Sequence, residues 1–324
     1  MTLPRRQFLH LAAGAAAFSA MSNIAVAQTY PSRPVRMIVG YPPGGGVDIV
    51  ARLICQWMTE RLGQPFVVEN RPGAATNLAA ETAVRAPADG HTLLLLSAAN
   101  TINATLYDKP TFDFLRDITP LASISRGLLL MAVNPLFPAK TVPEFIAYAK
   151  ANQGKINMAS PGTGSPNHVA GEMLKMMAGI TMTHVPYRGE SLATTDLLGG
   201  QVHVLFPGGA AIEYIKAGKL RALAVTTARR SQALPEVPAM AEFVPSYEAN
   251  VWFGVGAPKS TPVEIIDRLN IEINACLADH KVKARLADLG HEAMPMTQSE
   301  FEKFVAAETE KWGKVIRTAS IKLE

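Results

Sequence analysis

The stretch VRMIVGYPPGGGVDIVARLICQWMTERL, residues 35–62, decides the fold of this chain. It combines a short apolar run over 35–40, a turn with three consecutive glycines, and an amphipathic pattern that continues to Leu62. An apolar run bounded by turn residues predicts a buried strand, and apolar residues at three- and four-residue spacing predict a helix. We therefore predict a strand, a glycine turn and a helix in this order.

Strands and helices are predicted to alternate along most of the remaining chain. Further short apolar runs occur at 66–69, 92–96, 128–133, 156–159, 182–185, 202–206 and 220–225. Helical patterns lie between most of them, and this order is typical of parallel βαβ units. The predicted fold class is α/β, with mostly parallel sheets flanked by helices.

The C-terminal part bears on domain organisation. After a strand predicted at 251–256, helical patterns occupy 262–277, 282–289 and 299–319. Three helices after one strand do not easily form a domain of their own, so we expect them to return to the first sheet. The predicted lobes are residues 28–123 plus 249–324 and residues 124–248, with a ligand cleft between them.

Residues 1–27 have the features of an export signal. The pair Arg5-Arg6 precedes an alanine-rich apolar stretch, which ends in the small residues Ala25-Val26-Ala27. The arginine pair resembles a twin-arginine signal. The apolar stretch is shorter than the ~20 residues that a membrane span requires. We predict cleavage after Ala27 and a periplasmic location.

Composition is that of a globular protein. The chain has 324 residues, 48% of them hydrophobic, and a net charge of +4 that falls to +2 when residues 1–27 are removed. This weak positive balance is not the clustered basic surface that nucleic-acid binding requires, so no nucleic-acid partner is expected. Cys55 and Cys276 lie in helical apolar patterns, which favours buried thiols; a single disulfide between them is the alternative.

The turn that begins at Tyr41 is a candidate anion site. Gly44, Gly45 and Gly46 permit close approach to the backbone, and the helix that starts around Asp48 offers N–H groups and the positive end of its dipole. The turn matches neither G-x-G-x-x-G nor G-x-x-x-x-G-K-[ST], which weakens a nucleotide interpretation. The alternative is an ordinary connection in which Asp48 stabilises the first helical turn.

A second candidate loop lies between a predicted strand and a predicted helix. The loop offers hydroxyl groups that can donate to a carboxylate, on Ser160, Thr163 and Ser165. Its Gly164 allows the loop to open. Ser165 followed by proline is typical of a helix N-cap and first helical position. His168 would lie in the first helical turn, where the dipole disfavours its charged form, so we expect a neutral hydrogen-bonding role or a plain surface position.

A third loop, residues 97–101, follows the strand predicted at 92–96. Ser97 and Asn100 can supply hydrogen-bond donors to a ligand on the first lobe. The alternative is that this loop only caps a short helix.

Enzyme signatures are not found. The sequence has no G-x-S-x-G motif, and its seven histidines form no H-E-x-x-H or other metal-binding spacing. Glu308 and Glu310 belong to a charged C-terminal helix and are expected on its solvated face. We predict no catalytic residue, no metal site and no cofactor.

Nine blocks of sequence carry a resemblance to a known family. They are YPPGG (41–45), DIVAR (48–52), VENRPGA (68–74), DG (89–90), PLFPAKT (135–141), HVPYRG (184–189), DLLGGQV (196–202), KAGKLRALA (216–224) and LPEVP (234–238). With the signal-like N-terminus they resemble the Bug/TctC family over essentially the whole predicted mature chain. Members of this family are the periplasmic solute-binding proteins of tripartite tricarboxylate transporters.

The resemblance implies a two-lobed, type II-like Venus-flytrap protein that closes on a small carboxylated solute. Its implied partner is a membrane permease with large and small subunits, and we expect a monomer. Carried over, the family's binding mode puts Gly44, Gly45, Gly46 and the helix start at Asp48 on one side of the ligand, and Thr163, Gly164, Ser165 and His168 on the other. Arg188 is implied as a partner for a second anionic group, with a salt bridge inside its own lobe as the alternative.

The resemblance leaves the ligand open. Family members often carry an acid just after the strand that ends here at Phe206, where this chain has Pro207-Gly208-Gly209. Its absence favours a dicarboxylate, tricarboxylate or aromatic carboxylate over an ammonium-bearing ligand. The main hypothesis is a transport receptor; the alternatives are a periplasmic sensor that feeds a two-component system and, third, an enzyme.

Overall fold

A computed structural model describes residues 30–107 and 111–322. The predicted export signal and its cleavage site at Ala27 lie outside these residues. The described residues from Arg33 onward form one compact unit, whose fold is described below.

The strands and helices of this unit alternate as the sequence predicts over most of its length. In chain order the strands are β1 (Val35–Val39), β2 (Phe66–Asn70), β3 (Thr92–Ser97), β4 (Ile118–Gly127), β5 (Leu130–Val133), β6 (Asn157–Ser160), β7 (Thr183–Pro186), β8 (Val204–Leu205), β9 (Arg221–Val225), β10 (Val251–Pro258) and β11 (His291–Ala293). The helices are α1 (Gly46–Leu62), α2 (Asn77–Val84), α3 (Ala98–Leu106), α4 (Phe114–Asp117), α5 (Val142–Ala151), α6 (Pro166–Ala178), α7 (Glu190–Leu198), α8 (Ile212–Lys216), α9 (Val263–Ala278), α10 (His280–Asp288) and α11 (Gln298–Thr318).

The strands form two sheets, which confirms the α/β fold class. A six-stranded sheet has the order β11-β4-β10-β3-β1-β2, and a five-stranded sheet has the order β7-β6-β8-β5-β9. Strands from both ends of the chain therefore build the larger sheet, and strands from its middle build the smaller one.

Both sheets are mixed, where the sequence predicts mostly parallel ones. In the larger sheet β1 runs parallel to β2 and β3, but β10 is antiparallel to β3 and β4, and β11 is antiparallel to β4. In the smaller sheet β6 is parallel to β7 and β8, and β5 is antiparallel to β8 and β9. Parallel neighbours form where a helix crosses over between successive strands of one sheet. Strand β10 instead re-enters the larger sheet from the smaller one, so this requirement does not apply to it, and it pairs antiparallel with β3 and β4.

Helix α11 belongs to the cores of both sheets. Phe301 and Val305 near its start pack in a buried cluster with Ile38 of the larger sheet. Trp312 further along packs in a second cluster, which includes Phe206 beside the smaller sheet. The C-terminal helix thus covers more than the first sheet, to which the sequence assigns it.

The two cysteines are free and buried, as expected for core thiols. Burial raises the pKa of Cys55 and Cys276 to about 12 each, so both remain thiols at neutral pH. In the part of the chain that the structure describes, no helix has the length and apolar character needed to cross a bilayer. Residues 30–107 and 111–322 also contain no cluster of three or more potential metal ligands.

Candidate ligand-binding site

A cavity of about 290 Å³ lies where segments from both sheets meet. Its lining residues are Tyr41, Val47, Ser97, Ala98, Leu129, Pro161, Ser165, Pro166, Asn167, Glu190, Gly208, Val251, Trp252 and Phe253. Most of its polar members follow the carboxyl ends of parallel strands, which is where open α/β sheets usually bind ligands. A depression of about 360 Å³ on α11 is lined only by that helix's residues 307, 310, 311, 314 and 317. This depression is only the charged outer face of one helix. We therefore take the cavity of about 290 Å³ as the candidate site.

One wall of the cavity is rich in hydrogen-bond donors. The hydroxyl groups of Tyr41 and Ser97 are 3.0 Å apart, and burial raises the pKa of Tyr41, so its phenol stays neutral and can donate. Ser97 is the N-cap of α3, and Ala98 is its first residue. The N–H groups in the first turn of a helix have no acceptor within the helix, and they favour anions. This wall is therefore suited to a carboxylate.

The facing wall begins at the N-terminus of α6. The Ser165 side chain accepts a hydrogen bond from the backbone N–H of His168 at 3.2 Å, and Pro166 occupies the first helical position. The predicted N-cap and N1 proline are thereby confirmed. Asn167 also lines the cavity, and its amide donates to the carbonyl of Phe206 at 2.7 Å.

Glu190 is the acidic residue of this second wall. Its Oε2 accepts a hydrogen bond from the Asn167 amide at 3.0 Å, and its Oε1 accepts one from the Gly208 N–H at 3.1 Å. Burial raises the pKa of the Glu190 carboxyl, and the two N–H donors oppose this effect. The cavity therefore has a donor-rich wall on the side of the six-stranded sheet and a carboxyl group on the other.

Glu190 and Asn167 are not identified by the sequence reasoning. The sequence offers no acid directly after Phe206, and the fold supplies one from another loop, at the first residue of α7. The signal that could have found Glu190 is its position, because an acid that opens a helix just after a parallel strand lies at the ligand-binding edge of a sheet.

Of the predicted site residues, Tyr41, Ser97 and Ser165 line the cavity, and the others do not. Gly44, Gly45 and Gly46 are exposed. The N–H of Gly44 already donates to Asp48 Oδ2 at 2.9 Å. Asn100 is buried: its Oδ1 accepts from the Ser97 N–H at 2.9 Å and its amide donates to Thr76 at 3.1 Å.

Two further predicted residues, Thr163 and Arg188, also lie outside the lining. Thr163 is half-buried and Arg188 is exposed. Neither forms an ion pair or a side-chain hydrogen bond with another of the described residues, so the structure gives no partner for the Arg188 guanidinium. Their ligand contacts remain predictions.

Ser160, Gly164 and His168 form a buried cluster beside the cavity. The His168 and His184 rings stack with centroids 3.6 Å apart, and Ser160 Oγ is 2.6 Å from His184 Nε2. The N–H of Gly164 donates to His168 Nδ1 at 3.1 Å, so this nitrogen is an acceptor. Burial lowers the pKa of His184 to about 4, which keeps it neutral. His168 is 3% exposed, so the surface alternative is wrong and a hydrogen-bonding role fits.

Asp48 holds the glycine turn together. Its carboxylate is 3% exposed and accepts hydrogen bonds from Gly44, Arg52 and Asn70. The Arg52 hydrogen bond is the main reason why the pKa of Asp48 falls to about 2. The alternative role foreseen for Asp48, stabilisation of the helix start, is the one that these contacts support.

We expect Asp48→Ala to lower the free energy of unfolding at pH 7 by about 2 kcal/mol, because it leaves several donors without their acceptor. The control is the exposed Asp267 of α9. Asp267→Ala should change the free energy of unfolding by less than about 0.5 kcal/mol. The Asp48 contribution should be complete above pH 4 and should shrink as the pH falls toward 2, because the unfolded carboxyl takes up its proton first. Urea unfolding at several pH values measures both effects. Equal losses in the two variants, or a loss independent of pH, would contradict this assignment.

The comparisons with known proteins agree with one another. Residues 50–321 match a family described as "Tripartite tricarboxylate transporter family receptor", TctC. Protein BugT of Bordetella pertussis is 36% identical over 314 residues, which are 95% of this chain and 96% of BugT. The solved structure of R. palustris Rpa4515 with adipate has a TM-score of 0.81 and 35% identity, over 90% of this chain and 99% of that one.

A second solved structure, MatC (Rpa3494) from Rhodopseudomonas palustris with bound malate, has a TM-score of 0.77 and 30% identity. The match covers 89% of this chain and 100% of MatC. The family match spans well over half of the chain, and the relatives are similar along nearly their full length. This chain therefore belongs to the tripartite tricarboxylate transporter receptor (TctC) family, whose members are solute-binding receptors and not enzymes.

Proposed function

We propose that this chain is a periplasmic receptor that binds a small organic acid in the cavity and delivers it to the permease of a tripartite tricarboxylate transporter. The observation that carries the proposal is the donor-rich wall formed by Tyr41, Ser97 and the N-terminus of α3. Rpa4515 and MatC, similar in fold, have adipate and malate bound. The export signal predicted at 1–27 and the family support the periplasmic location.

The ligand is captured by closure of two lobes, residues 28–123 plus 249–324 and residues 124–248. The lining residues support this division, because they come from segments of both sheets. Gly209 and Gly290, one on each proposed lobe, are in backbone contact, since a Cβ built on Gly209 would lie 3.0 Å from the Cα of Gly290. Hinge closure of this kind encloses a ligand between two rigid bodies.

Isothermal titration of residues 28–324, refolded to remove any co-purified ligand, tests the proposal. The probes are monocarboxylates, dicarboxylates, tricarboxylates and aromatic carboxylates. A true ligand at 100 times its Kd should add about 2.7 kcal/mol to the free energy of unfolding, which thermal shift detects. Ser97→Ala should weaken binding about 10- to 100-fold through loss of a hydrogen bond to a charged group.

Ser299→Ala is the matched control, because Ser299 is exposed on α11, and it should leave the affinity unchanged. Failure of every organic acid to bind would overturn the proposed function. Unchanged affinity in Ser97→Ala would remove the donor-rich wall from the binding site.

A further inference from the structure

The charge of the cavity lining is unbalanced. Glu190 is its acidic residue, and no lysine, arginine or histidine is among the lining residues within the described chain. The other lining side chains are neutral, and many are apolar, including Val47, Leu129, Trp252 and Phe253. Any charge that offsets the Glu190 carboxylate inside the cavity must therefore come from the ligand.

The contacts of Glu190 do not neutralise it. Both of its side-chain hydrogen bonds come from neutral donors, the amide of Asn167 and the backbone N–H of Gly208. Among the ion pairs of residues 30–107 and 111–322, none includes Glu190. Neutral donors orient a carboxylate but leave its charge in place, and Glu190 is only half-buried, so its charge is partly removed from water without a counter-ion. Burial accordingly raises the pKa of this carboxyl group.

The two walls of the cavity also differ in what they can bind. Both walls include a serine hydroxyl and a helix N-terminus, Ser97 with α3 on one and Ser165 with α6 on the other. The first wall adds the hydroxyl group of Tyr41 and has no charged side chain among its described residues, so it favours a carboxylate. The wall with Glu190 presents a carboxylate, which repels a second anionic group and attracts a cation. A ligand with two carboxylates would bring one of them into the low-dielectric space beside Glu190.

We propose that Glu190 determines specificity by binding an ammonium group, so that the preferred ligand is an amino-substituted carboxylate. This inference rests on the proposed function and narrows it. The ligand carboxylate lies on the wall with Tyr41 and Ser97, the ammonium group pairs with Glu190, and the apolar side chains contact the carbon chain between them. The sequence alone disfavours an ammonium-bearing ligand, because Pro207-Gly208-Gly209 provides no acidic residue after Phe206. Glu190 reverses that expectation, because it provides the acidic residue from a different loop.

Matched pairs of probes separate this proposal from simple carboxylate binding. The pairs are 4-aminobutanoate with succinate, 5-aminopentanoate with glutarate, and 6-aminohexanoate with adipate. The members of each pair have about the same length and differ in the group that would face Glu190. In the unmodified protein, at least one amino acid should bind at least tenfold more tightly than the dicarboxylate of its pair, measured by isothermal titration at pH 7.

Glu190→Gln should remove or reverse this preference, because the amide retains the size of the side chain without its charge. Glu213→Gln is the control, since the Glu213 side chain is 82% exposed, and it should keep the preference. Circular dichroism and Tm verify that each variant is folded. If Glu190→Gln does not fold, the ratio of the affinities for the amino acid and the dicarboxylate of each pair, measured in the unmodified protein, still tests the inference.

Three results would overturn the inference. In the first, dicarboxylates bind as tightly as their amino partners in every pair; in the second, Glu190→Gln folds and leaves the ratio unchanged. In the third, none of the six probes binds while an organic acid without an amino group does. All three leave the proposed function standing. If no organic acid of any class binds, the proposed function fails, and this inference fails with it.

Discussion

Glu308→Ala lowers the free energy of unfolding by about 3 kcal/mol, whereas Glu310→Ala, two residues further along α11, changes it by less than about 0.5 kcal/mol. Glu308 is 8% exposed, and its Oε2 accepts hydrogen bonds from the indole N–H of Trp252 at 3.2 Å and of Trp312 at 3.0 Å. Removal of the carboxylate leaves both buried N–H groups without an acceptor. Each such group costs about 1–3 kcal/mol.

Chemical denaturation of the two variants measures this difference directly. Glu310 is the matched control because it is exposed on the same helix. Trp252 lines the cavity, so Glu308→Ala should also weaken ligand binding while Glu310→Ala does not. Similar stability losses in the two variants would show that the indole contacts of Glu308 contribute nothing specific.

Glu308 also illustrates what helical spacing can reveal. The sequence prediction places Glu308 and Glu310 together on a solvated face, and this is wrong for Glu308. Residue 308 lies three positions after Val305 and four before Trp312, so all three share the buried face of α11. The helical period alone could have separated the two glutamates and placed Trp312 beside Glu308, whereas the other indole partner, Trp252, comes from β10, far away in the sequence.

Most of the α/β alternation could be predicted because each element has its own apolar pattern. Strand β4 is the main omission. It contains Pro120, Ser123 and Ser125, which do not read as part of a buried strand, yet all three are buried. The Ser123 hydroxyl donates to the carbonyl of Met294, and Ser125 Oγ is 3.2 Å from His291 Nδ1. These partners come from the distant C-terminal segment, so no local pattern could have indicated that the polar groups are satisfied.

The candidate site was predictable where it depends on local strand-to-helix turns. Tyr41, Ser97 and Ser165 are found at the cavity because each follows a strand and precedes a helix. The glycine turn is different, since its Gly44 N–H donates to Asp48 inside the same turn. Sequence indicates which groups are able to bind an anion, but the folded structure determines which of them are already occupied.

Gly164→Ala lowers the free energy of unfolding by about 3 kcal/mol, because it combines backbone strain with a steric clash. Gly164 has a φ of +77°, and a Cβ built on it would lie 2.2 Å from Cδ2 of Leu106. Leu106 is 5% exposed and packed in a core cluster, so its side chain has little room to move. Thermal or urea unfolding of the variant measures the loss.

Gly179→Ala isolates the strain from the clash. Gly179 ends α6 with a φ of +62°, and a Cβ there would meet no atom within 4 Å, so we expect a loss of only about 1 kcal/mol. In a Leu106→Ala background, Gly164→Ala should likewise cost about 1 kcal/mol, which gives a coupling of about 2 kcal/mol in the double-mutant cycle. If Gly164→Ala costs the same free energy of unfolding in the unmodified protein and in Leu106→Ala, the new Cβ at position 164 does not clash with Leu106. Because Leu106 ends α3 and Gly164 precedes α6, this coupling would also measure how tightly the two walls of the candidate site pack against each other.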